Sequence, residues 1–287
     1  MTNPLSSIYD IIIEAIGRDI GSDDELSFVK QRFERILAYN VPKGKGNRAL
    51  FVNKSFKLMA QYMNRTVTDK EIELSMIMGA VLEILHTSAL MYDDYMDKSI
   101  TRRGNLCWYR QDSTGAQVLN DTKILMNGCM YIIKLYFGTK SYYTQIIDLF
   151  HEIMRQSTYG QCMDMLSKPP NMLRPQFHLF TKSRYETIVK FKTSYYTFVL
   201  PVRLGMYMMD MTDQTVHQQT EQLLLKIGYL FQIQDDFIDC FGDPVVTGKI
   251  GTDIADGKCC WLIVTALELC NKQQLDQLMA NYAFHYM

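Results

Sequence analysis

Two clusters of aspartates are the residues best suited to chemistry in this 287-residue chain. Each has the spacing DDxxD, formed by Asp93, Asp94 and Asp97 in the first cluster and by Asp235, Asp236 and Asp239 in the second. In a helix, the outer two aspartates of a cluster lie one turn apart on one face, where like charges repel. A hard divalent cation relieves this repulsion, and Mg²⁺ usually completes its coordination with water and phosphate oxygens. The clusters therefore predict a phosphorylated substrate bound through metal.

Each cluster ends a very apolar segment, LEILHTSALMYDDYMD at 82–97 and LLKIGYLFQIQDDFID at 224–239. Apolar residues on almost every side of 76–91 and 223–233 predict two helices in the middle of a bundle. One DDxxD alone is more often a solvated helix end. Two copies behind buried-type helices favour metal binding, because charge burial is costly. We expect the two helix ends to face each other across one cavity.

The elements that carry these clusters are predicted to be helices, because no proline occurs between Lys43 and Lys168 and apolar residues recur at three- and four-residue spacing. We expect an all-α chain, a single domain over 1–287. Pro201 should kink or divide its helix. The predicted helices are 5–18, 24–38, 48–63, 68–97, 116–137, 142–166, 176–209, 215–240 and 258–270.

Composition excludes several classes of protein. Thirty basic and 31 acidic residues give a net charge of −1, so no global basic field would attract nucleic acid. Seven cysteines without a CxxC pair indicate neither a disulfide framework nor a zinc site, and they fit a reducing, cytoplasmic location. The longest apolar run is interrupted by Glu83 and His86, so we expect a core helix and no membrane span.

Local basic runs must supply any further anion binding. Candidates are Lys43, Lys45 and Arg48 in PKGKGNR, and Arg102 and Arg103 in TRRG. Arginine offers bidentate contacts to phosphate and lysine a point charge. Each run alone is equally typical of a solvated loop. His86 lies two turns before Asp93 on the same helix face and would usually be a core residue, but opposite a basic cluster it could donate to phosphate.

Taken together, the motifs GKGNR, DDYMDKSITRRGNLCWYR, KFKTSYYTFVLP, FQIQDDFID and FGDPVVTGKIGTDI resemble the trans-isoprenyl diphosphate synthases, with the animal farnesyl diphosphate synthases most similar. The resemblance extends from about Ile36 to Tyr282. It implies a bundle of about ten helices around a deep central cavity, and a homodimer. The implied substrates are an allylic diphosphate of 10 to 15 carbons and isopentenyl diphosphate.

The resemblance also assigns roles to residues. The six aspartates would hold three Mg²⁺ ions on the allylic diphosphate. Basic ligands of that diphosphate would be Arg102, Lys192 and Lys249. The isopentenyl diphosphate site would contain Lys45, Arg48, His86 and Arg103. Thr193 and Gln232 would lie near the developing carbocation. The catalytic set is thus Asp93, Asp97, Asp235, Lys192, Thr193 and Gln232.

The chain departs from the farnesyl-forming pattern in two places. Ser88 and Ala89 stand where bulky aromatics are usual, which predicts a deeper cavity and a chain longer than 15 carbons, such as 20. The family's C-terminal helices and basic tail are expected to be missing after Met287. We expect a prenyltransferase making a C15–C20 diphosphate. The alternatives are a class I terpene synthase, which would cyclise the allylic diphosphate alone, and a non-catalytic subunit of a prenyltransferase.

Overall fold

The computed structural model of the chain describes residues 5–21, 23–42, 44–112, 114–167, 175–248 and 250–283. These residues are predominantly helical, which confirms the all-α prediction. The helices are α1 (Ser6–Ile20), α2 (Ser27–Asn40), α3 (Asn47–Tyr62), α4 (Asp69–Met96), α5 (Val118–Phe137), α6 (Tyr143–Ser167), α7 (Lys182–Ile188), α8 (Leu200–Tyr207), α9 (Gln214–Phe241), α10 (Pro244–Thr247), α11 (Asp253–Asp256), α12 (Trp261–Leu269) and α13 (Lys272–Asn281). A short antiparallel hairpin pairs β1 (Thr101–Arg102) with β2 (Asn105–Leu106).

The chain divides into two compact units. Unit 1 comprises residues 1–147 and 201–212, and unit 2 comprises 148–200 and 213–287. The first aspartate cluster belongs to unit 1 and the second to unit 2. The single-domain organisation and the central cavity stay predictions.

Helix α4 is the core of unit 1. Thr68 and Glu71 form a capping box at its start, and every residue from Ile77 to Ser88 is buried. It packs against α1, α3 and α5. By length and composition α4 could cross a membrane, but 78% of its most apolar 18-residue window is buried inside the structure. This burial is typical of a core helix; the absence of a membrane span stays a prediction.

Helix α9 was predicted to lie in the middle of the bundle, but it has an exposed apolar face. Its buried residues are His217, Gly228 and Asp236, whereas Leu223 and Leu230 are 61% and 58% exposed. The described part of the chain does not cover this apolar face. The sequence pattern could not show this, because an apolar face has the same periodicity whether or not a neighbour covers it.

The predicted helix 176–209 is divided into segments. A 3₁₀ turn at Phe177–Leu179 precedes α7, and a π-helical segment, Val189–Val199, lies between α7 and α8. The π segment ends two residues before Pro201, which cannot donate a backbone hydrogen bond. Helix α13 was not predicted. It is mostly polar, and Asn271 and Gln274 start it with a capping box.

Candidate active site

In unit 1, the first aspartate cluster lies at the C-terminal end of α4, and its three aspartates differ in exposure. Asp94 is 3% exposed and accepts hydrogen bonds from Arg102, with Nη2 at 2.5 Å and Nε at 3.0 Å from Oδ1. Burial raises the pKa of the Asp94 carboxyl, and the Arg102 guanidinium opposes that shift. Asp93 and Asp97 are partly exposed, and Asp97 caps the helix through its N–H to the Asp93 carbonyl, 2.8 Å away. The outer two aspartates are thus the accessible pair.

Basic residues from three distant parts of the sequence converge in the same unit. His86 is 9% exposed, and burial, followed by the guanidinium groups of Arg48, Arg103 and Arg102, lowers its pKa well below the ordinary value. His86 is therefore neutral at pH 7 and offers one ring N–H donor. We call these four side chains the basic cluster. The structure thus brings together Arg48, His86 and Arg103 of the predicted isopentenyl diphosphate site.

Glycines and a buried carboxylate shape the loop that leads into this cluster. Gly46 has a φ of +67° at the start of α3, and a Cβ at Gly44 would lie 2.9 Å from Nη2 of Arg103. Glu83 of α4 is 4% exposed and accepts the backbone N–H groups of Arg48 (2.8 Å) and Ala49 (3.1 Å). Lys45 is exposed in this loop, and Lys43 lies outside the described residues.

In unit 2, Gln232 connects three of the predicted residues. Its Oε1 accepts the Thr193 hydroxyl at 2.9 Å, and its Nε2 donates to Asp236 at 2.9 Å and to Asp235 at 3.3 Å. These bonds bring Thr193, Gln232 and two aspartates of the second cluster together, and their roles in the reaction stay predictions. The π segment carries Thr193, and π turns often occur at functional sites.

The second cluster repeats the arrangement of the first. Asp236 is 3% exposed and also accepts the Trp261 N–H, 2.7 Å away, at the start of α12. Burial raises the pKa of Asp236, and its bonds from Gln232 and Trp261 oppose the shift. Asp235 and Asp239 remain partly exposed, and Asp239 accepts the Asp253 N–H at 2.9 Å. Asp94 and Asp236 are therefore held by protein groups, and their assignment as metal ligands stays a prediction.

Two lysines of unit 2 contact the same buried carboxylate, Asp164. Nζ of Lys192 lies 2.6 Å from Oδ2 of Asp164, and Nζ of Lys258 lies 3.0 Å from the same atom. Burial alone would raise the pKa of Asp164, but the two ammonium groups hold it below its usual range. Lys249, the remaining predicted basic ligand, lies outside the described residues.

Comparison with known proteins identifies the family of this chain. The polyprenyl synthetase family matches residues 30–286, nearly the whole chain. The chain belongs to the polyprenyl synthetase family. This confirms the resemblance to trans-isoprenyl diphosphate synthases and the expected enzyme class, a trans-prenyltransferase.

Similar members of the family include farnesyl pyrophosphate synthases. The chain is 36% identical to the protein from Gallus gallus over 93% of this chain and 73% of that protein. It is 41% identical to the Saccharomyces cerevisiae protein over 86% and 69%, respectively. It is 38% identical to the Homo sapiens protein over 96% of this chain and 64% of that protein, which is less than two thirds of that relative's length.

The donors present fit Mg²⁺. Within the described residues, no three His, Cys, Asp or Glu side chains converge as a closed metal site. Mg²⁺ does not require one, because it commonly binds one or two carboxylates together with water and substrate phosphate. Asp93 with Asp97, and Asp235 with Asp239, are pairs of this kind at partly exposed positions at the C-terminal ends of α4 and α9.

Three residues with clear structural links to the site were missed by sequence reasoning. Glu83, Asp164 and Lys258 are single charged residues outside the acidic and basic clusters, and their partners lie 28 to 94 residues away. The signal for Glu83 and Asp164 was a lone carboxylate within a segment predicted to be helical. Such a signal does not identify the partner.

Proposed function

We propose that this polyprenyl synthetase is a Mg²⁺-dependent trans-prenyltransferase that condenses isopentenyl diphosphate with a C10–C15 allylic diphosphate to give a C15–C20 isoprenyl diphosphate. The observation that carries the proposal is the part of the basic cluster predicted to bind isopentenyl diphosphate, Arg48, His86 and Arg103. A cluster of guanidinium groups around a neutral histidine is suited to binding a diphosphate. A terpene synthase takes only one diphosphate and has no use for such a second site.

Each group of residues has a part in the proposed reaction. Asp93 with Asp97 and Asp235 with Asp239 would hold Mg²⁺, which when bound neutralises negative charge on the diphosphate. Lys192 and Lys258 would stabilise the diphosphate as the allylic C–O bond breaks and the diphosphate takes the electron pair. The double bond of isopentenyl diphosphate then attacks the allylic cation. A proton leaves, and the released diphosphate accepts it.

Thr193 and Gln232 are suited to the cationic stage. The Gln232 carbonyl oxygen accepts the Thr193 hydroxyl, and its amide nitrogen is held by Asp236, so the side chain has a fixed orientation. Oxygen dipoles held in place cost no reorganisation when positive charge develops beside them. We therefore propose that this pair stabilises the allylic cation.

The product length is proposed from α4. Ala89 is exposed and precedes Asp93 by one turn, about 6 Å along the axis, on the line that continues to Asp97. Ser88 differs: it is 2% exposed and its hydroxyl donates to the Leu85 carbonyl. Of the two small residues, Ala89 is the one positioned to set chain length, and we propose a C20 product.

The test separates condensation from cyclisation. The purified protein is incubated with Mg²⁺ and C10, C15 or C20 allylic diphosphate, with and without isopentenyl diphosphate, and both diphosphate and hydrocarbon products are analysed. Elongated diphosphate that requires isopentenyl diphosphate supports the proposal, and excess chelator should abolish it. Hydrocarbon or alcohol formed without isopentenyl diphosphate would instead identify a terpene synthase. Turnover only after addition of a second, different chain would identify a non-catalytic subunit.

We also propose that the protein is a cytoplasmic homodimer. The resemblance to trans-isoprenyl diphosphate synthases implies a dimer, and the seven cysteines, all free thiols in the structure, are compatible with a reducing compartment. Light scattering on the purified chain tests the dimer, and a mass near twice 33.4 kDa is expected.

A further inference from the structure

Asp164 joins two lysines that are far apart in the sequence. It lies on α6, is 7% exposed, and contacts the Lys192 and Lys258 ammonium groups through one oxygen, Oδ2. The two lysine side chains are 25% and 18% exposed. An ammonium group has three N–H donors, so it can contact Asp164 and a phosphate oxygen at the same time.

The backbone around each lysine is also fixed. Gly160 precedes Asp164 by one turn of α6, and a Cβ there would lie 2.1 Å from the Lys192 nitrogen, so α6 and the π segment touch backbone to backbone. For Lys258, the N–H donates to the Asp253 carbonyl and the carbonyl accepts the Tyr282 hydroxyl at 2.6 Å. The ammonium groups therefore approach Asp164 from two anchored positions.

Gly228 of α9 supports the π segment at a neighbouring point. A Cβ at Gly228 would lie 2.3 Å from the Ser194 hydroxyl oxygen. Glycines of α6 and α9 thus allow two helices to press against residues 192–194. This close packing leaves the Lys192 backbone little freedom to adjust.

We propose that Asp164 is a positioning residue for the leaving diphosphate: its carboxylate holds the ammonium groups of Lys192 and Lys258 side by side, so that they bind the diphosphate as a pair. The proposal rests on the proposed function and extends it to a residue outside the motifs. A free lysine side chain loses considerable rotamer freedom when it is ordered. A carboxylate that orders two of them in advance removes this loss from the binding step.

An alternative role for Asp164 predicts the opposite change in anion affinity when its charge is removed. If the carboxylate only balances the charge of the two lysines, removing its negative charge should strengthen the binding of an anion nearby. If it positions them, the same change should weaken binding. The sign of the change therefore separates the two roles.

The test uses the full chain and inorganic diphosphate with excess Mg²⁺, measured by titration calorimetry. For Asp164→Asn we expect the affinity for diphosphate to be about 30-fold weaker, because the two lysine side chains are no longer held in place before binding. Asp164→Glu keeps the charge but moves it by one methylene, and we expect about fivefold weaker binding. Asp148→Asn makes the same charge change at an exposed position of the same helix and should bind as the wild type does.

Unchanged or tighter binding by folded Asp164→Asn would overturn the proposal. Removing one partner of a buried ion pair can prevent folding. In that case Asp164→Glu decides: wild-type affinity overturns the proposal, and weaker affinity supports it. A general structural defect would also raise the KM for isopentenyl diphosphate, which we expect to stay unchanged. Failure of the wild type to elongate any substrate would refute the proposed function, while the diphosphate affinities would still test Asp164.

Discussion

Replacing Glu83 by glutamine should loosen the start of α3 and, with it, the loop that carries Lys45 and Arg48. The Glu83 carboxylate accepts two backbone N–H groups, at 2.8 and 3.1 Å, in a site where it is only 4% exposed. Hydrogen bonds to a charged group contribute about 1.5–3 kcal/mol, against about 0.5–1.5 kcal/mol for neutral pairs. Glutamine would therefore lower the free energy of unfolding by about 2 kcal/mol, roughly 1 kcal/mol for each bond.

The matched control is Glu73→Gln on the same helix. Glu73 pairs with Lys70 at 2.8 Å, but both side chains are substantially exposed, at 37% and 64%. Exposed pairs of this kind contribute about 0–1 kcal/mol. Urea unfolding followed by circular dichroism compares the two variants at one pH. A difference below about 0.5 kcal/mol between them would refute the assigned role of Glu83.

Glu83→Gln should also change the KM for one of the two substrates. Because Arg48 opens α3 and belongs to the basic cluster, Glu83→Gln should raise the KM for isopentenyl diphosphate more than that for the allylic substrate. Equal changes in both values would show that Glu83 does not act through the basic cluster.

The remaining predictions concern Ala89, Gln232 and His86. Ala89→Phe should shorten the longest product by about one five-carbon unit, and unchanged chain length would contradict the position assigned to Ala89. Gln232→Leu removes the hydrogen bonds that orient the polar pair at the cationic stage and should lower kcat about 100-fold, while Gln234→Leu, at an exposed position of α9, should not. Because the folded protein keeps the pKa of His86 well below 6.5, the unfolded chain binds more protons, so stability should fall as pH drops below 6.5. The free energy of unfolding, measured at about pH 7.5 and 5.5, should decrease by about 1 kcal/mol more in the wild type than in His86→Gln, and equal slopes would contradict a neutral His86.

Sequence reasoning predicted the helices well where local signals were strong. The start of α4 carries Thr68 and Glu71 as a capping box, and its buried run from Ile77 to Ser88 has no polar face. Both the capping box and the buried run are local features of one segment, so they can be recognised from its sequence alone. The π segment around Lys192 was not predictable in this way, because its residues have the same apolar spacing that an α-helix would show.

The structure brings some of the predicted site residues together, and their roles stay predictions. Hydrogen bonds join Thr193 and Gln232 to the second aspartate cluster, and Arg48, His86 and Arg103 are neighbours. The motifs could not reveal which aspartate of a cluster is buried. That depends on a donor elsewhere in the chain, Arg102 for Asp94 and the Trp261 N–H for Asp236. These distant partners are determined by packing, so the sequence around each aspartate does not indicate them.

The inward aspartates give each acidic helix end an anchor of its own. Asp94 fastens the end of α4 to the β1–β2 hairpin, and Asp236 fastens α9 to the first residue of α12. The outer carboxylates can therefore repel one another without fraying the helix that carries them. In the proposed enzyme, cation binding and the integrity of the helix end would therefore depend on different side chains within five consecutive residues. A change that abolishes cation binding would then leave the helix end intact.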